Sequence, residues 1–329
     1  MNNKLLIAYL FCISNINVIL AYPILYISKF FTNRLFNFYY NTYAYSVAPI
    51  IKYYYKTKFY IQNKDVFEEL LSDDYDKSKS ILIQNHLSQL DFIFLHAILS
   101  LKNSITNINL KSVTHFYSYL ASPGFGMICY LSNAIMITYN KIKNIILLNK
   151  CKIKNNDILF LCPEGNVFSK ENKKSNDKYC DENNINKMKN CLYPRLGAIE
   201  ILQKKNNIDT IFVMCTQYDN IKPSGKYHTL LNTELPRKVY IKFDKYKTDD
   251  KICEKTVEIF RNIDNYLDKE IDESEYTILP LNKLEIFSLL FHLFVFMCGI
   301  SALYNYNILF IYIIFVYIVY YTFLYFEIK

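Results

Sequence analysis

Tryptophan is absent from this 329-residue chain, glycine occurs six times, histidine five times and arginine four times. Six glycines over the whole length cannot supply a Gly-rich phosphate cradle, which excludes the nucleotide-binding loop patterns. Charge is also scarce: 21% of residues are Asp, Glu, Lys or Arg, against 52% hydrophobic. That apolar fraction excludes a disordered chain, and its concentration at the two ends argues against an ordinary cytosolic globule. The nine cysteines contain no CxxC pair. Cys151, Cys162, Cys180 and Cys191 are spaced too widely and irregularly for a zinc site, so no metal is expected and the thiols read as buried and reduced. The net charge of +8 is mostly scattered lysine, without the dense basic stripe that a nucleic-acid partner would need. The nearest basic run, Lys52 to Lys58, contains three tyrosines and lies beside an apolar segment; it reads as a membrane-surface anchor.

Asn, Lys, Ile and Tyr are abundant in the manner of an A+T-rich coding sequence, so the scarce residues carry more information than the common ones. Three regions are expected. Residues 1–60 hold an apolar stretch at 5–27, long enough for a bilayer crossing of ~20 residues. After it, residues 30–60 form an aromatic segment, read as an interfacial helix or a second, poor span. Residues 61–282 read as one domain. Residues 283–329 read as a transmembrane hairpin, with apolar spans over 286–326 broken near Tyr304-Asn305-Tyr306-Asn307. Lys29, Arg34, Lys52, Lys56 and Lys58 follow the first span while only Lys4 precedes it, which places the central domain on the cytosolic side.

Within that domain, β-rich runs at 80–84, 134–138, 157–162, 210–214 and 239–243 alternate with helical patterns at 91–101 and 195–204. The alternation predicts an α/β fold with a mixed, largely parallel sheet flanked by helices. The Asn- and Lys-rich stretch at 170–189 reads as a loop insertion.

Three constellations carry chemistry. Asn85-His86-Leu87-Ser88-Gln89-Leu90-Asp91 follows a strand, and Ser88 is a candidate helix N-cap. A helix starting there folds Asp91 back toward His86. The carboxylate would then fix one imidazole nitrogen and leave the other free to take a proton, which makes the base-and-orienter half of a triad. Phe160-Leu161-Cys162-Pro163-Glu164-Gly165-Asn166 follows another strand and makes a tight turn of backbone N–H groups and one carboxylate, at the sheet edge where ligands bind in open α/β folds. Ser122-Pro123-Gly124-Phe125-Gly126 reads as a turn with close backbone approach. Each has a plain alternative: a surface histidine beside a capping aspartate, an ordinary β-turn, a simple loop.

In order and spacing the three together resemble the glycerolipid acyltransferases of the lysophosphatidic acid acyltransferase type. The likeness is greatest to the long branch with C-terminal spans that includes the lysocardiolipin acyltransferases. Leu192-Tyr193-Pro194-Arg195 with Gly197, and Leu235-Pro236-Arg237 before the last strand, resemble later segments of that branch. The resemblance implies transfer of a fatty acyl group from acyl-CoA to the free hydroxyl of a lysophospholipid, with no other cofactor. The acceptor of first choice is 1-acyl-glycerol-3-phosphate; the alternatives are remodelling of lysocardiolipin or lysophosphatidylinositol, or an inactive lipid-binding homologue. It implies His86 as general base and Asp91 as its orienter. Pro163, Glu164, Gly165, Asn166, Arg195 and Gly124 are implied as substrate-binding positions. The endoplasmic reticulum membrane is the implied location. The chain departs from the family pattern at Asn166-Val167, where many members carry Thr-Arg, and at Tyr139, where a strand usually ends in Arg. Arg195 is the expected substitute for the missing phosphate contact.

Overall fold

A computed structural model describes residues 33–88, 90–101, 109–115, 132–219, 235–248 and 251–305, together with positions 17, 18, 21, 127 and 129. The strands are β1 (Lys58–Gln62), β2 (Ser80–Gln84), β3 (Asn109–His115), β4 (Ile135–Ile137), β5 (Asp157–Leu161), β6 (Thr210–Tyr218), β7 (Lys238–Lys247) and β8 (Thr277–Ile278). The helices are α1 (Asn33–Pro49), α2 (Lys64–Leu71), α3 (Leu90–Leu99), α4 (Lys141–Lys150), α5 (Lys170–Glu182), α6 (Gly197–Asn206), α7 (Ile252–Leu267) and α8 (Lys283–Asn305).

All eight strands join one sheet in the order β4-β3-β5-β2-β6-β7-β1-β8. From β4 to β6 the neighbours run parallel; β7 is antiparallel to β6, β1 is parallel to β7, and β8 is antiparallel to β1. The sheet is therefore mixed and largely parallel, as the alternation of elements predicts. Its central strands are apolar at nearly every position because both faces are covered. Leu82, Phe160, Phe212 and Met214 point to one core, which α1, α2 and α3 complete with Tyr43, Phe67, Phe94 and Leu95. Ile81, Ile83, Leu159, Leu161, Ile211 and Val213 point to the other, closed by Leu148, Ile199, Leu202, Phe260 and Ile263. Full burial of each such side chain contributes ~1.5–3 kcal/mol, so these two layers hold the sheet that carries the site.

The five expected strands correspond to β2, β4, β5, β6 and β7, and the two expected helices to α3 and α6. Three expectations are corrected. The stretch at 170–189 is not a loop throughout: Ser169 caps α5 by accepting from Asn172 N at 3.1 Å, and Lys173–Asp177 and Lys178–Glu182 pair one turn apart. The described part of the segment at 30–60 is not a helix laid on a surface: from residue 37 α1 is buried nearly all round between α3 and α8, and residues 58–60 enter β1 beside β7. Lys52 is no surface anchor, since its side chain is 5% exposed and bonded to Glu285, although Tyr53 and Tyr54 beside it are exposed.

Among the described residues no helix is long and apolar enough to cross a membrane. The expected span at 5–27 lies almost wholly outside the described residues; of the expected C-terminal hairpin they include α8, which ends with Tyr304 and Asn305, and nothing beyond residue 305. The polarity of α8 is reversed relative to a water-facing helix. Glu285, Ser288 and His292 are fully buried, whereas Leu290, Phe294 and Met297 are 60%, 66% and 64% exposed. His292 packs edge-on against Tyr39, Tyr43 and Phe291, and its Nε2 lies 3.3 Å from Thr42 Oγ1.

Candidate active site

The parallel arrangement brings the carboxyl ends of β2, β5 and β6 to one end of the sheet. The ladder between β2 and β6 runs from Ser80↔Thr210 to Gln84↔Met214. Asn85 then continues it with its side chain: Oδ1 accepts from Thr216 N at 2.8 Å and Nδ2 donates to Thr216 O at 2.9 Å. Gln84 Nε2 adds a bond to Thr216 Oγ1 at 2.9 Å. The amide of Asn85 thus imitates a backbone edge, which lets the main chain leave the sheet and turn His86 outward.

At the start of α3 the Ser88 hydroxyl accepts from Leu90 N at 3.2 Å, and Asp91 Oδ2 reaches back to accept from Ser88 N at 3.0 Å, a reciprocal cap. The same Oδ2 accepts from His86 Nδ1 at 2.9 Å. Oδ1 accepts from the Tyr218 hydroxyl at the end of β6. Asp91 is 1% exposed, while the His86 side chain is 22% exposed. A carboxylate can only accept, so Nδ1 carries a proton, and in the neutral imidazole the lone pair is at Nε2. The Cys162 thiol close by is pushed up by burial first and by the charges of Asp91 and Glu164 second, so it stays protonated and is a poor nucleophile.

Glu164, an expected substrate-binding position, faces inward. It is 1% exposed, and its two oxygens accept from His86 N and Leu192 N, both at 2.7 Å. Burial pushes its carboxyl up to about 8, opposed by those two backbone donors and assisted by the charges of Asp91 and Asp264. It is a brace joining the loop of His86 to the segment of Leu192. Phe168 N donates to His86 O at 2.7 Å from the same turn and closes the brace from the other side.

Pro163, Gly165, Asn166 and Arg195 do come together. Arg195 N donates to Pro163 O at 2.7 Å, and Gly165 N donates to Cys162 O at 3.0 Å to close the turn. Gly165 has φ +71°, and a Cβ there would lie 2.9 Å from Arg195 Cδ. Glycine is required twice, for the left-handed backbone and for the arginine laid across it. With its amide oxygen turned toward Arg195, Asn166 accepts from Nη2 at 3.0 Å and donates to Gly165 O at 3.0 Å. Gly165, Asn166 and Arg195 are all exposed, so this corner presents a guanidinium to whatever enters. Gly124 lies outside the described residues. Tyr139 is exposed at the end of β4, its ring centroid 4.7 Å from that of His115. Among the described residues no group of three or more His, Cys, Asp or Glu could hold a metal ion.

Three contributors escaped the sequence reading. Tyr218 is 127 residues from the aspartate it bonds. Thr216 is joined to Asn85 only through the β2–β6 register. Asp264 on α7 accepts from Lys189 N at 2.8 Å and Cys191 N at 3.0 Å, which sets the segment that leads to Arg195.

No family model matches the chain. Over 184 residues the chain is 23% identical to lysocardiolipin acyltransferase 1 of the zebrafish Danio rerio, a match covering 51% of this chain and 45% of that protein. The chain thus spans less than half the length of the curated relative it matches.

Proposed function

We propose that the chain is an acyltransferase that esterifies the free hydroxyl of a lysophospholipid with an acyl group from acyl-CoA. The observation that carries this reading is the His86–Asp91 pair, with Nδ1 held at 2.9 Å and Nε2 free at the carboxyl end of a parallel sheet. The similarity to a lysocardiolipin acyltransferase supports the same class of reaction. The acceptor hydroxyl gives its proton to His86 Nε2 as its oxygen attacks the thioester carbonyl. The carbon–sulfur bond then breaks, and the departing CoA thiolate recovers the proton from the imidazolium. No acyl-enzyme is needed, since Cys162 is protonated and Ser88 serves as the cap of α3. General-base help of this kind is typically worth ~10²–10⁴-fold.

Arg195, exposed and steered by Gly165 and Asn166, is the group suited to the acceptor's phosphate, with a planar fork that matches phosphate oxygens. A single glycerol-phosphate head is the acceptor of first choice, 1-acyl-glycerol-3-phosphate giving phosphatidic acid. Lysocardiolipin is the second reading, favoured by the identity of the relative. The intact dyad speaks against an inactive lipid-binding homologue. The reversed polarity of α8 supports a lipid environment, because an apolar outer stripe around buried Glu285, Ser288 and His292 suits acyl chains better than water. On this reading the protein is membrane-embedded, its catalytic end faces the cytosol, and the endoplasmic reticulum is its location. The test is mass spectrometry of lipids formed from isotope-labelled acyl-CoA by the purified full chain in nanodiscs. A labelled diacyl product supports the reading, and labelled free fatty acid alone would overturn it in favour of a thioesterase.

A further inference from the structure

Of the two oxygens of Asp91, one is spent on His86 and Ser88, and the other receives a single bond from a residue of β6. We infer that Tyr218 is a positioning residue for the reaction, holding Asp91 in the rotamer that keeps His86 aligned. This rests on the acyl-transfer reading of the dyad.

Geometry makes the case. The bond from Ser88 N and the bond from His86 Nδ1 both fall on Oδ2, so among the described residues the Tyr218 hydroxyl is the contact that fixes Oδ1. Aspartate's terminal torsion is broad and soft, and the Tyr218 hydroxyl closes that freedom from the opposite side. Tyr218 is itself held firmly. Its ring meets Phe94 of α3 edge-on at 5.5 Å, and Thr216, two residues before it, is bonded by Gln84 and by both ends of the Asn85 amide. One strand register therefore sets three things together: where the β2 chain leaves the sheet toward His86, where the tyrosine stands, and how α3 lies against it. Burial, and after it the charge of Asp91, push the phenol well above its ordinary value, so it remains a hydrogen-bond donor throughout the working range. Tyr218 acts through Asp91.

The experiment compares wild type with Tyr218→Phe as full chains in detergent or nanodiscs. Loss of one hydrogen bond to a charged group predicts a fall in kcat of about tenfold or more. The Michaelis constants for acyl-CoA and lysolipid should stay within about twofold, because on this inference the tyrosine acts through Asp91. A purely structural role would lower the amount of folded enzyme and spare the kcat of what remains. The second readout is independent of activity: in ¹⁵N-histidine-labelled protein, the His86 Nδ1–H proton is sharp and far downfield in wild type and broadened by solvent exchange in Tyr218→Phe. If the wild type transfers no acyl group, the proposed function fails, while the resonance still decides the role of Tyr218. An unchanged kcat, or an unchanged Nδ1–H signal, would overturn the inference.

Discussion

The two sides of the site are built in opposite ways. On the dyad side, Asp91, Asn85 and Glu164 are buried with their polar atoms tied to backbone groups, and the partly buried Tyr218 bonds Asp91. On the acceptor side, Gly165, Asn166 and Arg195 are exposed, and one guanidinium lies across a glycine that has no side chain to restrain it. The lesson is a division of labour. On the proposed function, proton transfer tolerates little geometric error and falls where the sheet is rigid. Recognition of a head group would then fall where one exposed residue can change without disturbing the rest, and it is on this side that the chain carries Asn166-Val167.

Substitutions should separate the two sides by both size and kind of effect. His86→Ala removes the proposed base and is expected to lower kcat/KM about a thousandfold, with an unchanged circular dichroism spectrum. Glu164→Gln should act on folding as well as rate. An amide keeps one acceptor and one donor group at every pH, as the protonated carboxyl does below about 8, but its donor cannot move between the two positions. The expected loss at pH 6 is about 1 kcal/mol of stability, measured by chemical denaturation. Glu164 also gives this side a pH dependence. Its folded-state carboxyl lies near 8, above the ordinary 4.5, so the stability it contributes is fully present below 4.5 and is lost as pH rises through about 8. The melting temperature of the wild type should therefore fall as pH rises from about 4.5 to about 8 and level off above, and the fall should be shallower in Glu164→Gln.

Across the site, Arg195→Ala should raise the Michaelis constant for the lysolipid about tenfold while leaving kcat and the constant for acyl-CoA nearly unchanged. Equal loss for both substrates would break the proposed division. The smallest effect is expected for Ser88→Ala. It removes the hydroxyl that accepts from Leu90 N but leaves the backbone N–H that bonds Asp91, so about 1 kcal/mol of stability is lost with little change in kcat.

Much of this was legible in the sequence where one local rule decides the outcome. Ile81 and Ile83 against Leu82, and Leu159 and Leu161 against Ile158 and Phe160, follow the two-residue period of a strand buried on both faces. Ser88 with Asp91 three residues on is a capping signal, and it led directly to the His86–Asp91 pair. Residues 170–182 misled because their composition is that of a loop, while the cap at Ser169 and the ion pairs one turn apart act at the level of geometry. Glu164 misled for a different reason: a carboxylate in a turn reads as accessible, and only the fold shows His86 N and Leu192 N closing over it. Tyr218 and Asp264 had no local signal at all, since each acts on a segment to which only tertiary packing brings it.

The most direct test is CoA release by the purified full chain, offered one acyl-CoA with lysophosphatidic acid, lysophosphatidylcholine, lysophosphatidylinositol or lysocardiolipin, with His86→Ala alongside. Release that requires a phosphate-bearing lysolipid acceptor, yields one CoA per new ester and disappears in the variant is the predicted result. Equal release by both proteins, or release indifferent to the acceptor, would contradict it.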